Sequence, residues 1–191
     1  MGIIRKWLEK GIVAKRVKEI ALKELVDICS PAAWSEVLKT EVFEAKFLED
    51  LKNMREDALI FSPYLNEEAV NNFIIDIKTH KIDPKKISIV TRPLEESDEK
   101  AVRAIKALVK ENFNVYSRPK MHYKLAIIDD IIYIGSLNIL QCYKRYLTKP
   151  EEEKWCLDYM IRLRSSGLVQ EILGRIAPPS PNEKIELQHE D

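Results

Sequence analysis

The sequence lacks several features that would place it in a specialised class of protein. It has only three cysteines, Cys29, Cys142 and Cys156, and none lies in a CxxC pair or near a histidine at zinc spacing. A disulfide framework and a zinc knuckle are therefore not indicated, and we expect a reducing, cytoplasmic setting. Arg5 and Lys6 interrupt the N-terminus, so a signal peptide is not expected. Nowhere do about 18 uncharged apolar residues stand together, so a membrane-spanning helix is not expected either.

The chain also lacks an excess of charge of either sign. Lys and Arg number 31 and Asp and Glu number 31, so the net charge argues neither for nor against a polyanionic partner. A length of 191 residues with 46% hydrophobic and 32% charged residues is ordinary for a single soluble domain. Any information about partners must therefore come from the local distribution of side chains.

The first segment of the chain reads as an amphipathic helix. Up to Lys23 it carries seven Lys or Arg against two Glu. Such a basic face suits a membrane surface or a phosphate backbone, and it is equally typical of a solvated face on a docking or dimer helix. We therefore expect a separate N-terminal helix within residues 1–30. Its apolar positions recur at spacings of three to five residues: Ile4, Leu8, Val13, Val17, Ile20, Ala21, Leu25 and Ile28.

The rest of the chain alternates between helix and strand patterns. The patterns predict a helix over 31–54, a strand over 58–61, a helix over 67–78 capped by Asn66, a strand in "KISIVTRP", a helix over 97–111 and a strand in "NVYSRP". This alternation is typical of an α/β domain whose first strands are parallel and connected by helices. We expect one domain over residues 31–176, a mixed β-sheet flanked by helices, and a flexible polar tail over 177–191.

The most chemically capable residues stand in "MHYKLAIIDDIIYIGSLNIL", residues 121–140. A strand over 121–128 would place His122 and Lys124 on the same side of the sheet, because side chains alternate along a strand. Lysine donates hydrogen bonds to phosphate oxygens, and histidine can attack phosphorus or transfer a proton near neutral pH. The pair therefore predicts a site for a phosphate group.

The same stretch then turns back on itself. Asp129 and Asp130 form the predicted turn, and an antiparallel strand over 131–134 would bring Ser136 and Asn138 back beside the histidine and lysine. The hydroxyl and the amide are further donors to phosphate oxygens. Gly135 would let a phosphate approach the backbone closely.

These residues resemble a known signature. The pattern H-x-K, four residues, D, then G-S-x-N is similar to the HKD motif of the phospholipase D superfamily, although five residues separate the D from the G where the usual pattern has six. "SPY" at 62–64, at the end of a strand and before a helix, also resembles these domains, and the resemblance covers roughly residues 40–175. The motif residues are His122, Lys124, Asp129, Gly135, Ser136 and Asn138.

The resemblance implies a mechanism. In that superfamily the histidine attacks phosphorus to form a phosphohistidine, a second histidine protonates the leaving oxygen, water releases the phosphoryl group, and no metal or other cofactor is required. An acid beyond G-S-x-N orients the nucleophile. Asp158, in "WCLDYMIRL", stands where that acid would be, with Glu153 as the alternative and a merely polar strand residue as the third interpretation. Asp129 is expected to fix the hairpin rather than to touch substrate.

The second histidine must come from elsewhere. Neither His80 nor His189 has an H-x-K around it. The resemblance therefore implies a homodimer, in which a twofold axis brings His122 against its symmetry mate. Many single-motif members of the superfamily are nucleases, whereas double-motif members include the lipases.

Basic and aromatic residues flank the motif. Cations follow phosphates and aromatic rings stack on bases, so we expect nucleic acid as substrate, although the same segment could be a solvated turn with its tyrosines packed inward. A lipid hydrolase at a membrane surface stays open because of the basic N-terminus, and a binding module without turnover stays open because of the short turn. The candidate nucleic-acid-binding residues are Arg118, Lys120, Tyr143, Lys144, Arg145 and Lys149.

Overall fold

The computed structural model describes residues 35–144 and 159–186, which form a mixed sheet with helices on both faces. The α/β class predicted from the sequence is thus confirmed. The strands are β1 (Ser35–Lys39), β2 (Ala58–Phe61), β3 (Ile87–Thr91), β4 (Asn114–Ser117), β5 (Leu125–Ile128), β6 (Ile131–Gly135) and β7 (Tyr159–Arg164). The helices are α1 (Thr40–Asn53), α2 (Glu67–Thr79), α3 (Glu99–Lys110), α4 (Ile139–Cys142) and α5 (Ser166–Ile176). Short 3-10 turns lie at Pro84–Lys86, Leu94–Glu96 and Pro181–Glu183.

The strand order sets which loops meet. The seven strands run in the order β1-β7-β6-β5-β2-β3-β4. Strands β2, β3 and β4 are parallel, and the other neighbouring pairs are antiparallel. The carboxyl ends of β2, β3, β4 and β6 therefore lie at the same end of the sheet as the amino ends of β5 and β7. We call this end the carboxyl end of the sheet, and ligands in open α/β sheets commonly bind there.

Apolar side chains cover both faces of the sheet. On one face α1, α2 and α3 pack against it, with Phe43, Phe47 and Phe73 among the fully buried side chains. On the other face α5 packs through Val169 against a smaller group of strand residues. Phe47 and Phe73 lie near each other, with ring centroids 6.5 Å apart. Burial of this apolar surface is the main term that holds the helices on the sheet.

A buried ionic network ties α1 to the antiparallel half of the sheet. Asp50 on α1 accepts two hydrogen bonds from Arg162 on β7, at 2.7 and 2.6 Å. Tyr133 on β6 donates to the same carboxylate, and Arg162 also donates to Glu36 on β1 at 3.0 Å. Burial raises the pKa of Tyr133, and its hydrogen bond to Asp50 raises it further. Burial lowers the pKa of Arg162, but its hydrogen bonds and charge interactions with Asp50 and Tyr133 together outweigh that effect, so its pKa is raised.

The first helix predicted within the domain begins later than expected. The sequence pattern predicts one helix over 31–54, but residues 35–39 form β1 and the helix begins at Thr40. Strand β1 pairs with β7, with Val37 opposite Ile161. Its pairing partner lies far along the chain, so a local pattern of apolar residues could not reveal it.

The strand predicted over 121–128 is shorter than expected. Strand β5 begins at Leu125, which pairs with Phe61, the last residue of β2. Ser62 and Pro63 follow β2, and proline cannot extend a hydrogen-bonded ladder. His122 and Lys124 therefore precede the strand instead of lying within it.

The segment predicted as a polar tail packs in part against the domain. Lys184 forms a β-bridge with Tyr116 on β4, and the Ile185 amide donates to the Val115 carbonyl at 2.8 Å. Arg118 donates to both carboxylate oxygens of Glu183, at 2.8 and 3.0 Å.

Two predicted segments of the chain lie outside the residues that the structure describes. They are the helix predicted within residues 1–30 and the last five residues of the predicted tail, 187–191. Within residues 35–144 and 159–186, no helix is long and apolar enough to span a bilayer.

Candidate active site

The hairpin of β5 and β6 positions the HKD-like motif. Ile128 pairs with Ile131, so Asp129 and Asp130 form a two-residue turn, and Asp129 has φ 51°. The Asp129 carboxylate accepts hydrogen bonds at 2.9 Å from the backbone amides of Arg55 and Glu56. This turn lies at the amino end of β2, and β5 separates it from His122. The structure therefore gives Asp129 a role in fixing the hairpin to the loop before β2.

The short turn leaves the pairing of the hairpin continuous. The ladder runs without a gap from Ile128 opposite Ile131 to Leu125 opposite Ile134. One step further, the Gly135 amide donates to the Lys124 carbonyl at 3.4 Å. The G-S-x-N segment thus begins directly beside the H-x-K segment, although five residues instead of six precede the glycine.

Gly135 is required by the neighbouring strand. A β-carbon at this position would lie 2.1 Å from the Tyr159 carbonyl oxygen and 3.0 Å from Met160 Cα. No real side chain tolerates the first distance, so any larger residue must displace β7. The sequence interpretation gave this glycine a role in phosphate approach, and the structure adds this reason from packing.

Ser136 and Asn138 are held by the backbone around them. The Ser136 amide donates to the Tyr159 carbonyl at 3.1 Å, and the Tyr159 amide donates to Ser136 Oγ at 3.3 Å. Asn138 stands at the N-terminus of α4, and its carbonyl accepts from the amides of Gln141 and Cys142. Asn138 Oδ1 is buried and has no hydrogen-bond partner among the described residues. A buried amide oxygen of this kind has an acceptor available for a further group.

Hydrogen bonds from the loop after β2 join the helix that follows G-S-x-N to the parallel half of the sheet. Buried Ser62 accepts a hydrogen bond from the Leu140 amide at 3.1 Å and donates to the Tyr64 carbonyl at 3.0 Å. The Asn66 amide donates to the Leu140 carbonyl at 3.0 Å. The segment "SPY", which carried part of the resemblance, is therefore in direct contact with the helix that follows G-S-x-N.

His122 is exposed at the carboxyl end of the sheet and touches two residues that the sequence reasoning missed. The Arg92 guanidinium donates to His122 Nε2 at 2.7 Å, while Nδ1 lies 3.5 Å away. The same guanidinium lies 4.5 Å from the centre of the Tyr64 ring, and that ring meets the imidazole edge-on at 6.4 Å. Both residues come shortly after a parallel strand, which is the sequence signal that could have identified them.

Most of the candidate nucleic-acid-binding residues that the structure describes are bound to acidic side chains of the domain. Tyr143 is 1% exposed and donates to Asp76 at 2.8 Å, so its ring packs inward and presents no face to a base. Lys144 pairs with the same carboxylate at 2.6 Å. Arg118 is bound to Glu183, which raises the pKa of Arg118. Lys120 is exposed, so of these four only Lys120 is presented to solvent without such a partner in the described residues.

Three other tyrosines are exposed at the carboxyl end of the sheet. Tyr64 follows β2, Tyr123 precedes β5 and Tyr159 begins β7, and their exposed fractions are 39%, 48% and 51%. These rings have faces that a base could reach. They stand singly among unrelated residues in the sequence, so only the strand order brings them to one end of the molecule.

Four predicted residues lie outside the described part of the chain: Arg145, Lys149, Glu153 and Asp158. Among the residues that the structure does describe, no group of three or more His, Cys, Asp or Glu side chains is arranged to hold a metal ion.

The fold is similar to several solved structures. The chain matches no model of a protein family and no curated protein. Among solved structures it is similar to Nuc from Salmonella typhimurium, a phospholipase D family member, at 12% identity and TM-score 0.55, over 83% of this chain and 99% of that one. NucT from Helicobacter pylori is similar at 13% identity and TM-score 0.55, over 81% and 99% of the two chains.

A larger enzyme shares the same fold. Phosphatidylserine synthase from Haemophilus influenzae is similar at 14% identity and TM-score 0.55, over 73% of this chain and 35% of that one. At such low identities the likeness concerns the arrangement of the chain in space. The seven-stranded mixed sheet flanked by helices is similar in fold to these phospholipase D family structures.

Proposed function

We propose that this protein is a metal-independent phosphodiesterase that hydrolyses nucleic acid, with His122 as the nucleophile. The observation that carries the proposal is the position of His122 on a phospholipase D-like fold. It is exposed at the carboxyl end of the sheet, two residues before Lys124, whose carbonyl accepts a hydrogen bond from the Gly135 amide of the G-S-x-N segment. This backbone contact supports a site in which the His122 nucleophile, the Lys124 cation and the hydroxyl and amide donors of Ser136 and Asn138 act on one phosphodiester.

The proposed reaction has two steps. The Nε2 lone pair of His122 attacks phosphorus, so that a P–N bond forms while the P–O bond to the leaving group breaks and the leaving oxygen takes a proton from a second histidine. That histidine, now neutral, takes a proton from water as the water oxygen attacks phosphorus and the P–N bond breaks. Both histidines then return to their starting states. Lys124, Ser136 and Asn138 donate hydrogen bonds to the phosphate oxygens.

The second histidine comes from a second copy of the chain in this proposal. The described residues contain one other histidine, His80, which caps the far end of α2. Mixing wild-type protein with an excess of a His122→Ala variant and re-equilibrating the dimers tests the arrangement. If each site needs two His122 side chains, activity falls with the square of the wild-type fraction. A linear fall, or full activity in a protein that sediments as a monomer, contradicts the shared site.

The substrate class rests on the surface around His122. Lys120 is exposed and Lys124 is half-buried, and the exposed rings of Tyr64, Tyr123 and Tyr159 offer faces for stacking. These replace Tyr143 as the aromatic contacts in the proposal. Arg145 and Lys149 remain proposed phosphate contacts from the sequence pattern.

One assay tests the reaction and the substrate together. The purified protein is incubated with single-stranded DNA, double-stranded DNA, RNA or phosphatidylcholine vesicles, each with EDTA. The expected result is cleavage of a nucleic acid that survives EDTA and disappears in His122→Ala. His80→Ala is the matched control and should remain active.

Two further results bear on the mechanism. Acid-labile label from a substrate labelled at the scissile phosphate should be trapped on wild-type protein and absent from His122→Ala. Cleavage that stops with EDTA and returns with magnesium, or that His122→Ala retains, would overturn the proposal.

Asp158 is the proposed orienting acid. An acid that orients the nucleophile affects the rate more than binding, so Asp158→Asn should lower kcat strongly with little change in substrate affinity. The matched variant Glu153→Gln should have little effect. If Glu153→Gln is the damaging change instead, the orienting role belongs to Glu153.

A second function keeps the chemistry and changes the substrate. One structure with the same fold is a phosphatidylserine synthase, and the basic amphipathic pattern of residues 3–28 suits an anionic membrane surface. In the assay above, EDTA-resistant release of headgroup from vesicles without cleavage of nucleic acid would favour the lipid. Nucleic-acid binding without any turnover would favour the third alternative, a binding module of this fold.

A further inference from the structure

Arg92 stands outside the HKD motif and nevertheless donates a hydrogen bond to His122. It follows β3, and its guanidinium makes three contacts at the carboxyl end of the sheet. One N–H donates to His122 Nε2 at 2.7 Å, Nε donates to the Met121 carbonyl at 3.4 Å, and the plane lies 4.5 Å from the Tyr64 ring centre. The side chain is half-buried. A positive charge is therefore fixed beside the proposed nucleophile by groups on both sides of it.

The contact selects one tautomer of a neutral His122 imidazole. A guanidinium has only donors and stays charged at any ordinary pH. His122 Nε2 must therefore accept this hydrogen bond through its lone pair. A neutral imidazole with an accepting Nε2 carries its proton on Nδ1, which leaves Nε2 as the nucleophilic atom.

The same contact cannot persist during attack, because the Nε2 lone pair forms the bond to phosphorus. We infer that Arg92 is a phosphate-binding residue of the site: it keeps Nε2 of the attacking His122 free of a proton, and on substrate binding it transfers its hydrogen bond to a non-bridging oxygen of the phosphodiester. In the second copy the same transfer frees Nε2 of that His122, which takes a proton from solvent and then gives it to the leaving oxygen. This inference rests on the proposed function. An incoming phosphate offers the guanidinium a charged acceptor in place of a neutral one, and charge-assisted hydrogen bonds are the stronger kind.

Tyr64 supports the exchange. Its ring lies under the guanidinium and beside the imidazole, so the cation keeps a favourable surface while its hydrogen-bond partner changes. The tyrosine backbone is fixed in turn, because its carbonyl accepts from buried Ser62. Tyr64 is thus a positioning residue that acts through Arg92.

The first test reads the imidazole directly. Long-range ¹H–¹⁵N correlation spectra at neutral pH should show His122 with an unprotonated Nε2 in the wild type, and a shift toward the Nε2–H tautomer in Arg92→Met. Inorganic phosphate should perturb the His122 ring signals of the wild type at concentrations that leave Arg92→Met unchanged. Arg175→Met is the matched control, because Arg175 is paired with Glu171 on the surface of α5, and it should behave as the wild type.

The second test is kinetic. Loss of a charge-assisted hydrogen bond in the transition state lowers kcat by about 10- to 100-fold. We therefore expect kcat to fall about 100-fold in Arg92→Met and about 10-fold in Arg92→Lys. The change in KM should be smaller, because substrate binding breaks one Arg92 hydrogen bond as it makes another. Tyr64→Phe keeps the ring and should stay near wild type, whereas Tyr64→Ala should lower kcat.

The outcomes separate this inference from the proposed function. If the wild type cleaves no phosphodiester but its His122 spectra respond to Arg92→Met and to phosphate as described, the proposed function fails and the phosphate-binding role stands. If Arg92→Lys and Arg92→Met both keep kcat within about twofold while His122→Ala is inactive, the inference is overturned and the function stands. An unchanged His122 tautomer in Arg92→Met also overturns it. Unchanged urea midpoints of the variants will show that they remain folded.

Discussion

Replacing Arg162 with methionine removes the cation of the buried network while keeping a side chain of similar length. Arg162 and Asp50 are each 7% exposed, and the guanidinium is bound to the carboxylate at 2.6 Å through Nη2. In the variant, the Asp50 carboxylate keeps the Tyr133 hydroxyl as a donor but loses its counter-charge. Breaking a buried ion pair by removing one partner lowers the free energy of unfolding by about 3–5 kcal/mol.

That loss is large compared with the stability of an ordinary domain, which is about 5–15 kcal/mol. Urea unfolding followed by circular dichroism should show a clearly lower midpoint with an unchanged slope. Arg164→Met is the matched control, because Arg164 lies on the same strand, is 45% exposed and pairs with Asp130 at 3.5 Å. An exposed pair of this kind contributes about 0–1 kcal/mol.

A second substitution identifies the cause. Asp50→Asn removes the uncompensated charge but keeps an oxygen that can accept from Tyr133, so the double variant Asp50→Asn with Arg162→Met should be more stable than Arg162→Met alone. If the two changes simply add, or if Arg164→Met is as damaging as Arg162→Met, the reasoning from buried charge is wrong.

Three further predictions concern the tail, the close strand contact and the hairpin turn. The hydrogen bond from Arg118 lowers the pKa of Glu183 to about 2 from 4.5, so the contact should stabilise the tail fully above pH 4.5 and be lost as the pH falls from 4.5 to 2. The protection of the Ile185 amide from hydrogen exchange, relative to its intrinsic rate at each pH, should therefore fall over that window in the wild type, and Glu183→Gln should remove this dependence. Gly135→Ala should lower the free energy of unfolding by about 1–3 kcal/mol or more, because β7 must move. The control is Gly174→Ala in α5, where an added β-carbon meets nothing within 4 Å. This control should raise the urea midpoint slightly. Asp129→Ala should reduce the free energy of unfolding by about 1–3 kcal/mol, because the backbone amides of Arg55 and Glu56 lose their acceptor. It should leave KM unchanged. A large rise in KM would contradict the structural role of this turn.

Local patterns in the sequence were sufficient for the parallel half of the fold. Strands β2, β3 and β4 lie where apolar runs end at turn residues. The Asn66 side chain accepts from the amides of Glu68 and Ala69, so the predicted cap of α2 is confirmed. Strand β1 could not be predicted in the same way, because its stability depends on pairing with β7.

In the candidate site, too, some features follow from local spacing in the sequence and others depend on the order of the strands. The hairpin and its two-residue turn follow from spacing alone, and so does the adjacency of Lys124 and Gly135. The contact between Arg92 and His122 depends on β3 ending near the start of β5, which is a property of the strand order. For Tyr143 the sequence left two interpretations open, a ring that stacks on a base and a ring that packs inward. Asp76 on α2 supplies a buried partner for its hydroxyl, and no local pattern reports that partner.

The bridge between Lys184 and Tyr116 has a practical consequence for shortened versions of the chain. Strand β4 is the last in the sheet order, and the Ile185 amide satisfies a β4 carbonyl at Val115. A version that stops after α5 would leave this outer row of backbone groups without a partner, and an open sheet edge invites pairing with another molecule. Such a version should self-associate as its concentration rises, so the segment through Glu186 belongs in any minimal domain prepared for crystallisation or labelling.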